Sequence, residues 1–409
     1  MQRVINTFDT PYYYYYIFLL SIYTHSTAFF GFIKSVCYGR KLMRIICNTS
    51  VLTQVCQNVQ RCVPTRAVMP LLDGILMRTT DDGRIELCGY DLELGISTTF
   101  ETRIEEEGAS VINAKMLVDI LRHLPDERMT LDINPKNICT IESGNVEYTL
   151  VGMNAAEYPE LPKLGDENVI TIPNKVLRSM ILQTIFAVSV DEAKTVHRGV
   201  KFEFSPGELR LVALDGYRMA IRKEFVDYNG KVFSFIVPSK TLNEVVKLLN
   251  DDDEPVTIRL SKRHIIFSIG NYNIVSRLLE GEFIDYKSAV PTAKTTTVRV
   301  NTRELMDCIE RTSVIVSEKT RSPLRFNFSD DSIRMSVVTA LGSATDRMET
   351  SVTGKATEIG FNSRYVLDAL RSCEADEVLI DLNGPVSPCL IVPTEGDHFM
   401  YLILPVRLK

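Results

Sequence analysis

Three pairs of basic residues recur along the chain at nearly equal intervals. Each pair spans seven positions, and the pairs are Lys115 with Arg122, Lys240 with Lys247, and Arg364 with Arg371. Their first members lie 125 and 124 residues apart. Two residues seven positions apart share one helix face, where Lys and Arg can contact phosphates without reading bases. The same spacing is also typical of an ordinary solvated helix face, and each pair has an acid at a matching place.

The clearest helix that could carry such a pair runs from Val237 to Leu249. Pro238 and Ser239 supply entry and cap signals, and no helix-breaking residue follows them. Apolar side chains then fall at i, i+3, i+4 and i+7, which makes one stripe: Leu242, Val245, Val246 and Leu249. The basic pair lies close to opposite this stripe. Burial of the stripe would therefore leave Lys240 and Lys247 exposed.

The other two pairs lie in segments of the same pattern, and each repeat also has an earlier amphipathic segment. These earlier stripes begin at Leu52, Leu177 and Leu305. The chain is therefore interpreted as a triplication of one large unit. The pattern predicts six helices, at 50–63, 114–124, 174–187, 239–249, 302–314 and 363–373.

Short runs of alternating apolar and polar residues separate these helices, for example at 83–91 and 207–215. Alternation bounded by turn residues predicts antiparallel hairpins rather than parallel crossover units. Segments rich in Pro, Gly and charge at 159–167 and 291–297 indicate linkers. We therefore predict an α+β protein of three domains, 43–165, 168–292 and 296–409, with two helices packed on antiparallel sheets in each.

The charge distribution supports a phosphate-facing helix surface. The chain has a formal net charge of −6, which argues against a general polycation. The six predicted helices nevertheless hold eleven Lys or Arg against six Asp or Glu. Repeated units joined head to tail either close into a ring or continue as a filament. In a closed ring, the six helices would present their basic positions on one continuous surface.

No pattern in the sequence indicates a metal site or catalysis. The nine cysteines include no C-x-x-C pair, and the five histidines are scattered without ligand spacing. Cys56, Cys308 and Cys373 fall on apolar helix positions, as expected of small core residues in a reducing compartment. Phosphate-loop, dinucleotide, zinc-protease and nucleophile-elbow motifs are missing, and Asp215-Gly216 fits a simple turn. We therefore predict a protein that is not an enzyme and needs no cofactor.

The first 42 residues differ in composition from the rest. They contain a run of five tyrosines, Tyr12 to Tyr16, and an apolar stretch that continues to about Ile33. One interpretation is a signal peptide or a membrane anchor, and an anchor would make the chain a membrane-anchored binding protein. The other is an extension that is disordered or not translated, with translation starting at Met43. The unpaired cysteines argue against export, which favours the second interpretation.

Six short stretches, in the same order, resemble the bacterial DNA polymerase III beta subunit, the sliding clamp, over about 43–409. They are Met69-Pro-Leu-Leu, Tyr90-Asp-Leu-Glu-Leu, Ala213-Leu-Asp-Gly-Tyr-Arg-Met-Ala, Arg277-Leu-Leu-Glu-Gly-Glu-Phe-Ile-Asp-Tyr, Gly360-Phe-Asn-Ser-Arg-Tyr-Val-Leu-Asp and Leu404-Pro-Val-Arg-Leu. The resemblance implies the DNA clamp fold, closing as a head-to-tail homodimer into a six-domain ring. It also implies a cytoplasmic, non-catalytic processivity factor that encircles duplex DNA. The implied partners are the replicative DNA polymerase, the clamp loader complex and other clamp-binding replication and repair proteins.

The resemblance also assigns sites, residue by residue. The client-peptide pocket falls on Leu214, Gly216, Tyr217, Arg218, Met219, Ile284, Leu404, Pro405, Val406, Arg407 and Leu408. Apolar side chains with a few polar edges suit a short hydrophobic peptide. Ile284 stands where the family often has proline, and Lys409 extends past the usual final leucine. Both departures could alter the preferred peptide motif.

Two further sets of residues follow from the same resemblance. The DNA-facing positions are Arg66, Lys115, Arg122 and Lys240, and Lys247 joins them through its helix spacing. The ring seam would bring Val314 and Ile315 of domain three against Tyr148 and Leu150 of domain one. From the residues alone, Arg66 could be an ordinary surface arginine, and the four seam residues could be core.

Overall fold

The computed structural model describes residues 43–66, 68–165, 169–317, 322–329 and 331–408. The segment 1–42, interpreted above as an extension, lies outside the described residues. The described chain folds into two compact units. Unit 1 holds 43–91 and 97–159, and unit 2 holds 92–96 and 160–408. Within the described residues, no helix has the length and apolar character needed to cross a membrane.

Six α-helices lie in the described ranges, at the six predicted places. They are α1 (Thr49–Gln60), α2 (Ala114–Leu121), α3 (Asn174–Ile185), α4 (Ser239–Leu248), α5 (Thr302–Ser313) and α6 (Ser363–Ser372). Asparagine side chains cap α1, α2, α5 and α6 by accepting hydrogen bonds from backbone N–H groups of the first turn. Helix α4 follows Pro238 without a side-chain cap. The cap expected at Ser239 is therefore wrong, because Ser239 is already the first helical residue.

Unit 1 contains one five-stranded sheet and a second group of four strands. Its strands are β1 (Met43–Asn48), β2 (Gly74–Thr79), β3 (Arg84–Tyr90), β4 (Leu94–Glu101, in this unit from residue 97), β5 (Arg103–Glu106), β6 (Ala109–Asn113), β7 (Arg128–Ile133), β8 (Ile138–Ser143) and β9 (Val146–Val151). The five-stranded sheet has the order β5-β1-β7-β8-β9, which places β9 at an edge. The second group runs β4-β3-β2-β6. Helices α1 and α2 pack against each other.

Unit 2 contains the other seventeen strands of the described chain. They are β10 (Val169–Pro173), β11 (Gly199–Ser205), β12 (Glu208–Leu214), β13 (Arg218–Phe225), β14 (Phe233–Pro238), β15 (Pro255–Leu260), β16 (His264–Ile269), β17 (Tyr272–Arg277), β18 (Thr296–Asn301), β19 (Leu324–Ser329), β20 (Ser332–Thr339), β21 (Gly342–Glu349), β22 (Ser351–Gly354), β23 (Thr357–Phe361), β24 (Glu377–Leu382), β25 (Cys389–Pro393) and β26 (Phe399–Ile403).

These strands form three antiparallel arrangements, with orders β10-β15-β16-β17, β14-β11-β12-β13-β26-β25-β24-β18-β22 and β21-β20-β19-β23. In the nine-stranded sheet, β13 of the middle repeat pairs with β26 of the last repeat. Two repeats of the chain therefore share one hydrogen-bonded sheet. Strand β21 lies at an edge of the four-stranded sheet, with β20 as its partner.

The apolar stripes predicted for the helices form the core. Leu52, Leu177, Leu242 and Leu305 are fully buried at equivalent places in their helices. Burying a leucine side chain contributes about 2 kcal/mol, so these positions anchor each helix to its sheet. In α4, Val246 is only half-buried, at the border of the stripe. The α+β class, with helices on antiparallel sheets, is confirmed.

Candidate client-binding and DNA-facing sites

A tight turn between β12 and β13 organises the predicted client pocket. The Asp215 carboxylate accepts hydrogen bonds from the backbone N–H groups of Tyr217 (2.8 Å) and Arg218 (3.0 Å). Gly216 has φ +95°, a backbone conformation that residues with a side chain rarely adopt. The Lys194 ammonium donates to the carbonyl of Asp215 at 3.1 Å. The turn therefore holds Tyr217 and Arg218 at the start of β13.

The C-terminal segment lies beside this turn. The backbone N–H of Leu404 donates to the Tyr217 carbonyl at 2.8 Å. Two residues later, the N–H of Val406 donates to the carbonyl of Gly360 in β23, also at 2.8 Å. A Cβ on Gly360 would lie 2.6 Å from a Leu408 methyl carbon, so glycine permits this close approach. The segment 404–408 therefore joins the end of the nine-stranded sheet to the four-stranded one.

Arg218 connects the turn to helix α6. Its Nε donates to the Asp215 carboxylate at 3.1 Å, and its Nη1 donates to the Asp368 carboxylate at 2.6 Å. The guanidinium carbon lies 4.6 Å from the centroid of the Tyr365 ring, a distance typical of cation–π contact. Only 11% of the Arg218 side chain is exposed. The guanidinium carbon also lies 5.5 Å from the centroid of the Phe186 ring, so two carboxylates and two rings fix this side chain in a single orientation.

The apolar members of the predicted pocket divide into a buried floor and an exposed rim. Leu214 and Met219 belong to one core cluster with Phe283 and Leu402. The rim is formed by side chains of four residues that remain partly exposed: Tyr217 at 59%, Ile284 at 49%, and Leu404 and Val406 each at 37%. Exposed apolar groups next to residues of a packed core cluster suit a short apolar peptide. The eleven predicted pocket residues are called the client surface below.

Sequence analysis did not single out four residues that the structure places against the client surface. They are Tyr365, Asp368, Lys194 and His197. The Tyr365 ring stacks on Tyr217, with centroids 6.2 Å apart, and the His197 ring meets Phe283 edge-on at 5.7 Å. Tyr365 lies within the Gly360 to Asp368 motif, which could have signalled it. Lys194 and His197 lie outside every recognised motif.

His197 is a polar residue whose ring packs against Phe283 of the core cluster. Burial, reinforced by the positive charge of Lys194, lowers the pKa of the His197 imidazole, while Asp215 opposes the shift. Its Nδ1 atom has no hydrogen-bond partner among the described residues. The neutral imidazole is therefore the favoured form of His197 at neutral pH.

The predicted DNA-facing residues all lie on exposed surface. Lys115 and Arg122 lie at the start and end of α2 in unit 1, and Arg122 is 3.8 Å from Asp119. In unit 2, Lys240 and Lys247 lie on α4, and the Lys247 ammonium is 2.7 Å from Glu244. The five residues therefore occupy three separate elements, since Arg66 is exposed in the loop after α1.

The predicted seam residues differ in how far their side chains are exposed. Val314, directly after α5, is 80% exposed, and Ile315 is partly buried. On the edge strand β9, Tyr148 is partly buried and Leu150 is only 8% exposed. Val151, which the resemblance did not select, is exposed at 78%. Within its own unit, Leu150 therefore lies mostly in the core, while its neighbour faces outward.

The cysteines of the described chain are buried free thiols, eight in number. Burial raises the pKa of the Cys88 thiol to about 12, so it stays protonated and inert at neutral pH. The core positions predicted for Cys56, Cys308 and Cys373 are confirmed. The described residues contain no cluster of His, Cys, Asp or Glu suited to a metal ion.

Comparison with known proteins gives one consistent result. The N-terminal, central and C-terminal domain models of the DNA polymerase III beta subunit match residues 43–162, 171–285 and 287–407. The beta sliding clamp of Bacillus subtilis is 31% identical over 374 residues, covering 87% of this chain and 97% of the relative. That of Halalkalibacterium halodurans is 30% identical over 379 residues, covering 89% of this chain and 100% of the relative.

Solved structures agree with the sequence matches. The crystal structure of the Bacillus subtilis DNA polymerase sliding clamp superposes with a TM-score of 0.87 at 30% identity, covering 90% of this chain and 100% of that one. A Thermotoga maritima DNA polymerase III beta subunit gives a TM-score of 0.83 at 28% identity, covering 90% and 100%. These matches confirm the three-domain clamp fold and the DNA sliding clamp function inferred from the sequence. This chain therefore belongs to the DNA polymerase III beta subunit family, the beta sliding clamps, which are non-catalytic processivity factors of DNA replication.

Proposed function

We propose that two copies of this chain close head to tail into a six-domain ring around duplex DNA, with domains at 43–165, 168–292 and 296–409. The observation that carries the proposal is the position of two edge strands. Strand β9 ends the five-stranded sheet and β21 ends the four-stranded sheet. The seam residues Tyr148 and Leu150 lie in β9, and Val314 and Ile315 follow α5, which packs on β21. An open edge in the first repeat and another in the last repeat suit head-to-tail closure.

The ring works by topology rather than by tight binding. A closed ring leaves DNA only at an end, so its contacts with phosphates can be weak and blind to sequence. The exposed basic residues Arg66, Lys115, Arg122, Lys240 and Lys247 supply such contacts, each adding about 0.9 to the slope of log affinity against log salt. A polymerase tethered to the ring rebinds its primer end at high effective concentration.

Client proteins bind the client surface through short apolar peptides. These clients include the replicative polymerase, the clamp loader complex that opens the ring, and other replication and repair proteins in the cytoplasm. The support is the exposed apolar rim of Tyr217, Ile284, Leu404 and Val406, held in place by the Asp215 turn and the C-terminal segment. Such a surface binds many partners that share one short motif.

Retention on DNA tests the ring directly. The protein is loaded onto nicked circular plasmid by a clamp loader, and the plasmid is then cut once. We expect stable retention on the circle and loss within minutes of cutting, because a linear end lets the ring slide off. Equal retention on circular and linear DNA would contradict encirclement.

Substitution at the seam tests the dimer. Ile315→Asp should convert dimers to monomers in light scattering, because it places an unpaired carboxylate in a buried contact, at a cost of several kcal/mol. Val386→Asp is the control, since Val386 is a highly exposed apolar residue of unit 2 outside the predicted seam. Persisting dimers of folded Ile315→Asp would place the seam elsewhere.

A further inference from the structure

Each of the two hairpins that end in the edge strands β9 and β21 contains two like charges that are directly opposite each other. On the β8–β9 hairpin, Glu142 is paired in register with Glu147. On the β20–β21 hairpin, Arg334 is paired in register with Arg347. All four side chains are exposed. Like charges directly opposite in an antiparallel pair are destabilising, so each hairpin carries an electrostatic cost.

The described part of the chain does not offset this cost. None of these four side chains forms an ion pair with another described residue. Neighbouring charges on the same sheets behave differently. Arg44 of β1 pairs with Glu105 and Asp132, and Arg325 of β19 pairs with Glu358. Each outer hairpin therefore carries one like-charged pair without an ion-pair partner, acidic on unit 1 and basic on unit 2, where Glu349 adds one exposed acid.

The strand faces are compatible with a direct join between these edges. On β9, Leu150 faces the core, and the alternate residues Glu147, Thr149 and Val151 are exposed. On β21, Met348 is buried, and the alternate residues Ser343, Thr345 and Arg347 are exposed. An antiparallel join that sets Glu147 beside Arg347 puts Leu150 opposite Ala344. All buried faces then lie on one side of the joined sheet, and both charged pairs lie on the other.

We propose that the seam between two copies carries a four-charge cluster, in which Glu142 and Glu147 of one copy face Arg334 and Arg347 of the other. The proposal rests on the head-to-tail ring proposed above. It adds a reason for the ring's polarity. A β9–β9 contact would gather four carboxylates and a β21–β21 contact four guanidinium groups, so both symmetric pairings are repelled. Only the head-to-tail pairing neutralises both hairpins.

Two charge-reversal variants test the four-charge cluster. The first, E142R/E147R, makes both hairpins basic, and the second, R334E/R347E, makes both acidic. Each should stay folded by circular dichroism, because all four side chains are exposed. In sedimentation velocity at about 50 mM salt, each variant alone should dimerise about 100-fold more weakly than wild type, since like charges across an interface repel each other. Higher salt should narrow this gap, because salt screens exposed charges.

An equimolar mixture of the two variants supplies the decisive comparison. Each seam of the mixed dimer joins a basic hairpin to an acidic one, so dimers should return to near wild-type affinity. Glu107→Arg, an exposed acid of unit 1 outside the hairpins, is the control and should dimerise normally. If both variants dimerise like wild type, or if the mixture gives no dimers, the charge cluster is overturned while the ring stands. A wild type that is monomeric throughout would overturn the ring and the cluster together.

Discussion

Arg218 and Lys247 are both basic, both lie in unit 2 and both contact a carboxylate, but their surroundings differ sharply. Arg218 is 11% exposed and touches two carboxylates and the Tyr365 ring. Lys247 is 49% exposed and forms an ion pair with Glu244, one helical turn away. The first arrangement fixes a side chain, whereas the second leaves it hydrated. Exposed pairs of the second kind contribute about 0–1 kcal/mol.

This difference matches two kinds of recognition. A short peptide needs a surface of fixed shape, which fits the way the proposed client surface is held together by backbone N–H groups that donate to the Asp215 carboxylate and to the carbonyls of Tyr217 and Gly360. A sliding ring needs contacts that break as easily as they form, which fits the exposure of the proposed DNA-facing charges and the acid near each pair. Small changes should therefore damage the client surface strongly and the DNA-facing surface only in combination.

The largest expected effect is loss of the C-terminal segment. Deletion of 404–409 should abolish polymerase stimulation in a primer-extension assay, because it removes half of the exposed apolar rim. The deleted protein should still be retained on nicked circular plasmid, since the ring seam is untouched. Deletion of Lys409 alone is the control and should retain stimulation. A 404–409 deletion that stimulated normally would separate the segment from client binding.

A smaller effect is expected when four DNA-facing charges are reversed together. Lys115, Arg122, Lys240 and Lys247 to Glu should weaken loading on DNA about 100-fold near physiological salt. The slope of log affinity against log salt should fall by about 3 to 4, because each phosphate contact contributes about 0.9. Lys247→Ala alone should change the slope by no more than about 1.

Unchanged loading of the fourfold variant, with an intact dimer in light scattering, would contradict the assignment of these helices to the DNA-facing surface. A matched control reverses four exposed lysines elsewhere: Lys136, Lys231, Lys262 and Lys355. That control should load normally.

Arg218→Ala should have a moderate effect. It leaves Asp368 and Asp215 without their shared cation, which should lower the free energy of unfolding by about 3 kcal/mol. Client-peptide affinity, measured by calorimetry, should fall about tenfold, because the turn and α6 lose their connection. Arg218→Lys should recover part of the stability but not the stacking on Tyr365. A wild-type melting temperature for Arg218→Ala would show that this ion pair does not anchor the turn.

The smallest expected effect is a dependence on pH. Burial is the first cause that lowers the pKa of His197, His264 and His398 below the ordinary 6.5. As pH falls, these histidines therefore bind protons in the unfolded chain before they do so in the folded chain. The free energy of unfolding that is present above pH 6.5 consequently declines below pH 6.5. The melting temperature should drop by a few degrees between about pH 7 and pH 5.5. His197→Gln should flatten that drop; an unchanged pH profile would assign it to other groups.

Local pattern predicted the helices well, and motif resemblance selected some of the residues that the structure brings together around the Asp215 turn. The stripes at Leu52, Leu242 and Leu305 placed helices within a few residues, because an amphipathic period is a local property. The cap at Ser239 failed, since a serine preceded by proline signals a helix start without fixing which residue is first. Motif resemblance located Tyr217 and Arg218, whereas Lys194 and His197 carry no local signal that they approach the same turn.

By itself, the sequence determined the threefold repeat, the six amphipathic helices and the excess of basic residues on them, because period and composition are written along the chain. Only the tertiary structure decided which distant residues meet. It pairs β13 with β26, brings Gly360 under Leu408 and joins Arg218 to Asp368, 150 positions away. Such contacts depend on how sheets are ordered and which strands are left at their edges, and neither property repeats with a fixed period in the sequence.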